Sequence, residues 1–412
     1  MNRLPLSRRR FLQGASALAA TGALPGLQVM RSARAATGTP RTLVVIHLAG
    51  GNDTLNTVVP YGNPAYATLR GALAIPAAQV LPLNSQQGLH PSLVGIKALY
   101  NASKVAVINS VGYPHFDYSH FEAMQIYWKA DPTRAASTGW LGRTLDTVVA
   151  AEVSTGSLPD VLSGTHIGWE SPASLIARNF TAPLLPPNPD WYWLPARNAN
   201  QSTALARILE QPMTTTNLLF DAFLRNSRAA LQAYNTVKAA GVLTTPVVYP
   251  DNNFASGLKF TAQLLRTDPD VQIVSLEQGS YDTHENQYDR HAGQLSELST
   301  GLKAFMDDLA ANGSSGRVLV LLWSEFARRV KPNANLGTDH GSAQALFLIG
   351  DGVKGGIYGA PPGLAPTDLI DGGNLKMAVD FRTVYATLLN GWLGLDAKTI
   401  LGADWGALPV LL

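Results

Sequence analysis

Val318-Leu319-Val320-Leu321-Leu322-Trp323, then Thr338-Asp339-His340-Gly341, then Ala345-Leu346-Phe347-Leu348-Ile349 is the passage on which the reading of this chain turns. The two short, continuous apolar runs read as buried strands. Between them an acid and an imidazole stand side by side. The glycine that follows lets the backbone turn both side chains toward one point. Oxygen and nitrogen donors at a strand edge are a common way to hold a divalent cation. Most isolated Asp-His pairs are simply solvated, but this one has counterparts: Gly50-Gly51-Asn52-Asp53 far upstream and Asp282-Thr283-His284 between.

The 412 residues are 46% hydrophobic and 15% charged, enough for a sizeable core in one large domain or two smaller ones. Net charge is only +2, and much of the basic excess lies in the first 34 residues. The remainder therefore offers no nucleic-acid footprint. There is no cysteine, which excludes disulfides, thiolate zinc sites and cysteine nucleophiles.

At the N-terminus, Ser7-Arg8-Arg9-Arg10-Phe11-Leu12-Gln13 precedes a mildly apolar stretch from Gly14 to Leu27, and Ala33-Arg34-Ala35 supplies small residues for cleavage. This order reads as a twin-arginine signal peptide over residues 1–35. The stretch is too short, and too rich in Gly and Pro, for a stable membrane anchor. The expected partner is the twin-arginine translocase, which exports folded proteins, and the expected location is periplasmic or secreted. A cysteine-free chain needs no oxidising compartment to fold first.

Residues 36–412 are expected to form an α/β domain. Leu43-Val44-Val45-Ile46-His47-Leu48 has the continuous apolar character of a central parallel strand and ends in Asn52 and Asp53. A Gly-Asn-Asp turn, with Asp53 as a helix cap, explains that end equally well. A helix is expected from Pro91 and a strand over Val105–Val111. After the loop 112–120, a helix opens near Ser119. Ser119 is either a plain N-cap or a hydroxyl nucleophile facing the helix dipole. Arg143 is a surface arginine or a ligand for an anionic oxygen.

From about 165 to 250 the pattern loosens, and the segment reads as an irregular and helical cap insertion. Its Trp191, Tyr192 and Trp193 either line an entrance or pack the cap onto the core. Strands resume at Val271–Leu276. A long amphipathic helix follows from Gln287 to Asn312, carrying a structural His291. Four strands thus deliver polar groups at their ends: Asn52/Asp53, Asp282/His284, Glu325/Arg328 and Asp339/His340. A site along one sheet edge accounts for the repetition.

In combination, Gly50 to Pro60, Ser119-His120-Phe121-Glu122-Ala123, Asp282-Thr283-His284-Glu285-Asn286-Gln287, Ser324-Glu325-Phe326 and Thr338-Asp339-His340-Gly341 resemble the DUF1501 proteins. That family is in turn similar to the alkaline phosphatase and sulfatase superfamily. The resemblance implies a largely parallel central sheet sandwiched by helices and metal-assisted hydrolysis of small anionic esters, phosphate or sulfate. It implies that Asp53, Asp339 and His340, with Asn52, hold a divalent ion (Ca, Mg, Mn or Zn). Ser119 then stands at the nucleophile position. Asp282 and His284 match a further acid and histidine, His284 or His120 serves as proton donor, and Arg143 or Arg328 offsets substrate charge. No histidine follows His340, so a complete second zinc site is not expected. The context of Ser119 lacks the Cys/Ser-x-Pro-x-Arg pattern of formylglycine sulfatases. These departures leave a second expectation, a non-catalytic envelope binding or assembly protein on the same fold.

Overall fold

Every residue of Thr42–Leu48 is buried, so the strand must be covered on both faces. In this computed structural model the described residues are 40–154, 160–187, 199–211 and 217–412. Residues 1–35, read above as a signal peptide, and Trp191, Tyr192 and Trp193 lie outside them.

Among the described residues the central sheet has nine strands: Thr42–Leu48 (β1), Val105–Gly112 (β2), Gly164–Ile167 (β3), Leu184–Leu185 (β4), Ile273–Gln278 (β5), Val318–Trp323 (β6), Gln344–Ile349 (β7), Gly356–Tyr358 (β8) and Val379–Asp380 (β9). Their order is β8-β2-β7-β6-β1-β5-β3-β4, with β9 also beside β2. All pairings are parallel except those of β7, which runs against both β2 and β6. This is the mixed, largely parallel α/β sheet expected.

Among the described residues the longer α-helices are Pro64–Arg70 (α1), Val94–Asn101 (α2), His120–Lys129 (α3), Trp140–Ser154 (α4), Ala199–Glu210 (α5), Leu218–Gly241 (α6), Asn253–Thr267 (α7), Gln287–Ala311 (α8) and Phe381–Thr387 (α9). Strand alternation sorts them onto two faces. Val44 and Ile46 pack with Ile96 of α2, Leu258 of α7 and Leu302 of α8. Leu43 and Val45 pack with Tyr127 of α3, Trp140 of α4 and Phe381 of α9. Each such side chain contributes roughly 1.5–3 kcal/mol of transfer free energy.

Two expectations are corrected. The helix read from Pro91 begins at Val94, because residues 90–93 form a turn: Leu93 N–H donates to His90 O (2.9 Å) and Ser92 N–H to His90 Nδ1 (3.1 Å). The segment read as a cap first extends the sheet through β3 and β4. Helices α5 and α6 follow, sharing a small cluster of Leu209, Leu224 and Leu231, and α6 joins the main core through Val237 and Ala240.

Strand direction decides where the site lies. The loops after β1, β2, β5 and β6 leave from the same edge of the sheet. Because β7 is antiparallel, the segment that precedes it, with Asp339 and His340, arrives at that edge too. Among the described residues no helix is long and apolar enough to cross a membrane.

Candidate metal centre

Three of these loops bring His120, Asp282 and His340 together, with one ligand atom from each within 4.8 Å of the others. Oδ1 of Asp282 lies 3.6 Å from His120 Nε2 and 3.4 Å from His340 Nε2. His284 closes the group: its Nε2 is 3.0 Å from the same Oδ1 and 2.9 Å from His340 Nε2.

The far side of each ring is fixed. Nδ1 of His340 lies 2.6 Å from the Tyr118 carbonyl oxygen, which can only accept, so this nitrogen carries the proton. Nδ1 of His120 donates to Glu325 Oε1 at 2.7 Å. In the neutral rings both Nε2 atoms are therefore lone pairs turned toward a carboxylate oxygen. Nε2 of His120 is buried and has no hydrogen-bond partner. Lone pairs aimed at an anionic oxygen want a cation between them, and imidazoles oriented by outer carboxylate and carbonyl partners are the usual surroundings of a metal ligand. The donor set fits a divalent ion.

The supports are buried. Glu325 accepts from Gly50 N–H (2.9 Å) through Oε1, while its Oε2 meets His47 Nε2 at 3.0 Å. Burial pushes its carboxyl up, but the bonds from His120 and His47 outweigh this and hold it far below the usual range. Burial likewise raises Asp282, and the Arg328 guanidinium, 2.5 Å from Oδ1, more than reverses it. Burial lowers His340. Gly50 is required here: at φ +116° a Cβ would fall 2.3 Å from the Asp282 backbone nitrogen.

The remaining expected residues go elsewhere. Asp53 is fully buried, and its Oδ2 takes hydrogen bonds from Arg70 Nη2 and Gln287 Nε2. Asn52 Oδ1 meets Thr57 Oγ1 and His291 Nε2, both at 2.9 Å. Asp53, Asp339 and His340 are thus not gathered as a set. Asp339 is half-exposed and contacts His284 Nδ1 (3.4 Å) and Asn333 Nδ2 (3.1 Å). Ser119 is the N-cap of α3 without a side-chain cap bond, one residue before His120. Arg143 donates to the carbonyls of Ile400 (2.5 Å), Thr138 (2.7 Å) and Lys129 (2.8 Å). Arg328 is spent on Gly50 O, Gly51 O, Thr338 O, Tyr281 O and Asp282. Both guanidinium groups are anchored by these bonds, Arg143 to three backbone carbonyls and Arg328 to four carbonyls and the Asp282 carboxylate. Glu325, noted in the sequence only as a strand-end acid, and His47, within a strand, are the supports that sequence reasoning missed. Period-two alternation puts His47 on the α3 face, but nothing local pairs it with Glu325.

No curated protein matches the chain. Among solved structures it is similar to a protein in the alkaline phosphatase superfamily from Vibrio parahaemolyticus, at 10% identity and TM-score 0.40, covering 90% of this chain and 70% of that one. It is similar to the PsFucS1 sulfatase from Pseudoalteromonas sp. at 11% identity and TM-score 0.40, covering 90% and 71%. A third is the lipoteichoic acid synthase LtaP from Listeria monocytogenes, at 8% identity and TM-score 0.34, covering 89% and 73%. Residues 197–402, half of the chain, match the model of a family described as protein of unknown function (DUF1501), and the chain belongs to that family.

Proposed function

We propose that this chain is a divalent-metal-dependent hydrolase of small phosphate or sulfate esters. The observation that carries the reading is the convergence of His120 Nε2, His340 Nε2 and Asp282 Oδ1, two ring nitrogens with fixed lone pairs on one carboxylate oxygen. These three would hold the ion, and His284 stands beside them. Imidazoles outnumbering carboxylates favours Zn over Ca, Mg or Mn. A bound divalent ion supplies Lewis acidity toward an ester oxygen and lowers the pKa of a coordinated hydroxyl.

The chain's own groups do the rest. Glu325 and the Tyr118 carbonyl keep the Nδ1 protons in place, so the ligand nitrogens face inward. Ser119 sets a hydroxyl at the start of α3, where the amide dipoles favour a developing alkoxide. His284, about half-exposed on the open side, is placed to donate a proton to a leaving alcohol. Arg328 orients Asp282 and leaves charge on the substrate to other groups. Export as a folded protein through the twin-arginine translocase, to the periplasm or beyond, is part of the same reading and draws on residues 1–35.

The anchoring of Arg143 and Arg328 by backbone carbonyls favours the second reading, a non-catalytic envelope binding or assembly protein. Metal content by mass spectrometry and turnover of aryl phosphate and aryl sulfate esters separate the two. The hydrolase reading expects about one ion per chain, and activity lost in both Asp282→Ala and Ser119→Ala. A metal-loaded chain that turns over neither ester class would support the binding protein.

A further inference from the structure

Asp282, His284 and His340 come from two segments that the sheet alone does not fix relative to one another. Tyr281–His284 follows β5, and Thr338–Gly341 precedes β7. One backbone bond joins them directly, Thr338 N–H to Thr283 O at 3.1 Å. Between them sits the side chain of Gln287, the first residue of α8. Its Oε1 accepts from Thr283 Oγ1 (3.0 Å) and Thr338 Oγ1 (2.5 Å), and its Nε2 donates to Asp53 Oδ2. That carboxylate oxygen also accepts from Arg70 Nη2, and Arg70 Nη1 donates to the carbonyls of Arg329 (3.1 Å) and Val330 (3.2 Å). Asp53, Arg70, Thr283, Gln287 and Thr338 are all 0% exposed.

Each threonine adjoins the metal-site residues. Thr283 lies between Asp282 and His284, and Thr338 immediately precedes Asp339 and His340. Resting on the metal reading above, we propose that Gln287 is a positioning residue. Its amide, oriented by the buried Asp53–Arg70 pair, holds the two ligand-bearing loops at the separation the ion site requires.

The chemistry at position 287 is restrictive. Two hydroxyls need an acceptor and one carboxylate needs a donor, and a Gln amide offers both from one rigid plane. Asp53 can only accept, so it turns Nε2 toward itself and Oε1 toward the threonines. A Glu would set a second carboxylate against Asp53, and a Leu would strand the two buried threonine hydroxyls and leave Asp53 Oδ2 with Arg70 alone. Asp53 therefore acts on the ligands at one remove. It orients the amide that orients the loops.

The test uses the full chain with the near-isosteric Thr283→Val and Thr338→Val, singly and together, beside Gln287→Glu. Two readouts are taken: hydrogen exchange of the Thr338 amide in metal-stripped protein, and Zn²⁺ affinity by competition with a chelator. The expected result is at least tenfold faster exchange at the backbone amide of residue 338 in the double variant, with Zn²⁺ affinity falling about 10–100-fold. The unfolding midpoint of the stripped protein should fall modestly, because the buried Gln287 Oε1 loses its donors, so exchange at residue 338 is read against that of the β1 amides. Unchanged exchange, or affinity within twofold of wild type, overturns the role of Gln287. A wild-type chain that takes no Zn²⁺ while the exchange effect is present overturns the metal reading instead, and the proposed purpose of the clamp with it.

Discussion

The Nε2 atoms of His284 and His340 lie 2.9 Å apart. With the His340 proton fixed on Nδ1 by the Tyr118 carbonyl, His284 must supply the hydrogen between them, or a cation must take its place. Asp282 Oδ1, 3.0 Å from His284 Nε2, sits where that same hydrogen or cation would be shared. The centre is built so that one positive charge satisfies several acceptors at once.

Asp282 is the common partner, so Asp282→Ala is expected to abolish ion retention, from about one ion per chain to background by mass spectrometry. Asp339 touches His284 from outside the group. Asp339→Ala should weaken binding only about tenfold, as loss of an outer-shell partner does. Equal losses in the two variants would contradict this ranking.

Glu325→Gln removes the charge that orients His120 and pairs with His47. Affinity for Zn²⁺ should fall roughly 10–100-fold while the helix and sheet content stays native by circular dichroism. A variant that binds as tightly as wild type would show that His120 needs no carboxylate behind it.

Arg143→Ala should leave the KM for any anionic ester unchanged, since its guanidinium is anchored by bonds to the backbone carbonyls of Ile400, Thr138 and Lys129. It should instead lower stability by about 1–3 kcal/mol, read from chemical unfolding, because carbonyls in a part-buried site lose their donors.

Stability should fall on both sides of neutrality. Burial opposes charge on His47, but bonds to Glu277 and Glu325 outweigh it and raise its pKa from 6.5 to about 9. That stabilisation, on the order of 1–3 kcal/mol, is complete below pH 6.5 and disappears as pH rises toward 9. Burial lowers His90 and His166 to about 4 and His291 to about 3. In these three the unfolded state takes up protons first, so stability drops as pH falls from 6.5 toward 4. Urea midpoints across this range should peak near neutral pH, and His47→Gln should flatten the alkaline limb alone.

The sequence by itself determined the sheet and its edge. Continuous apolar runs such as Val318–Trp323 have one stable place, a strand covered on both faces, and this depends only on neighbours along the chain. It also named Asp282, His284 and Asp339-His340 at strand ends, and His120 as a candidate proton donor before a helix. What only the tertiary structure decided was the partner of each charge. Asp53 reads as a ligand until the fold sets Arg70, seventeen residues on, against it in a fully buried pair. Glu325 reads as an ordinary strand-end acid until His47 and His120 close on it from β1 and α3. Side-chain hydrophobicity is a local property. The direction of a polar side chain leaving a loop is set by which buried donor or acceptor reaches it first, and that is fixed by packing between segments far apart in the chain.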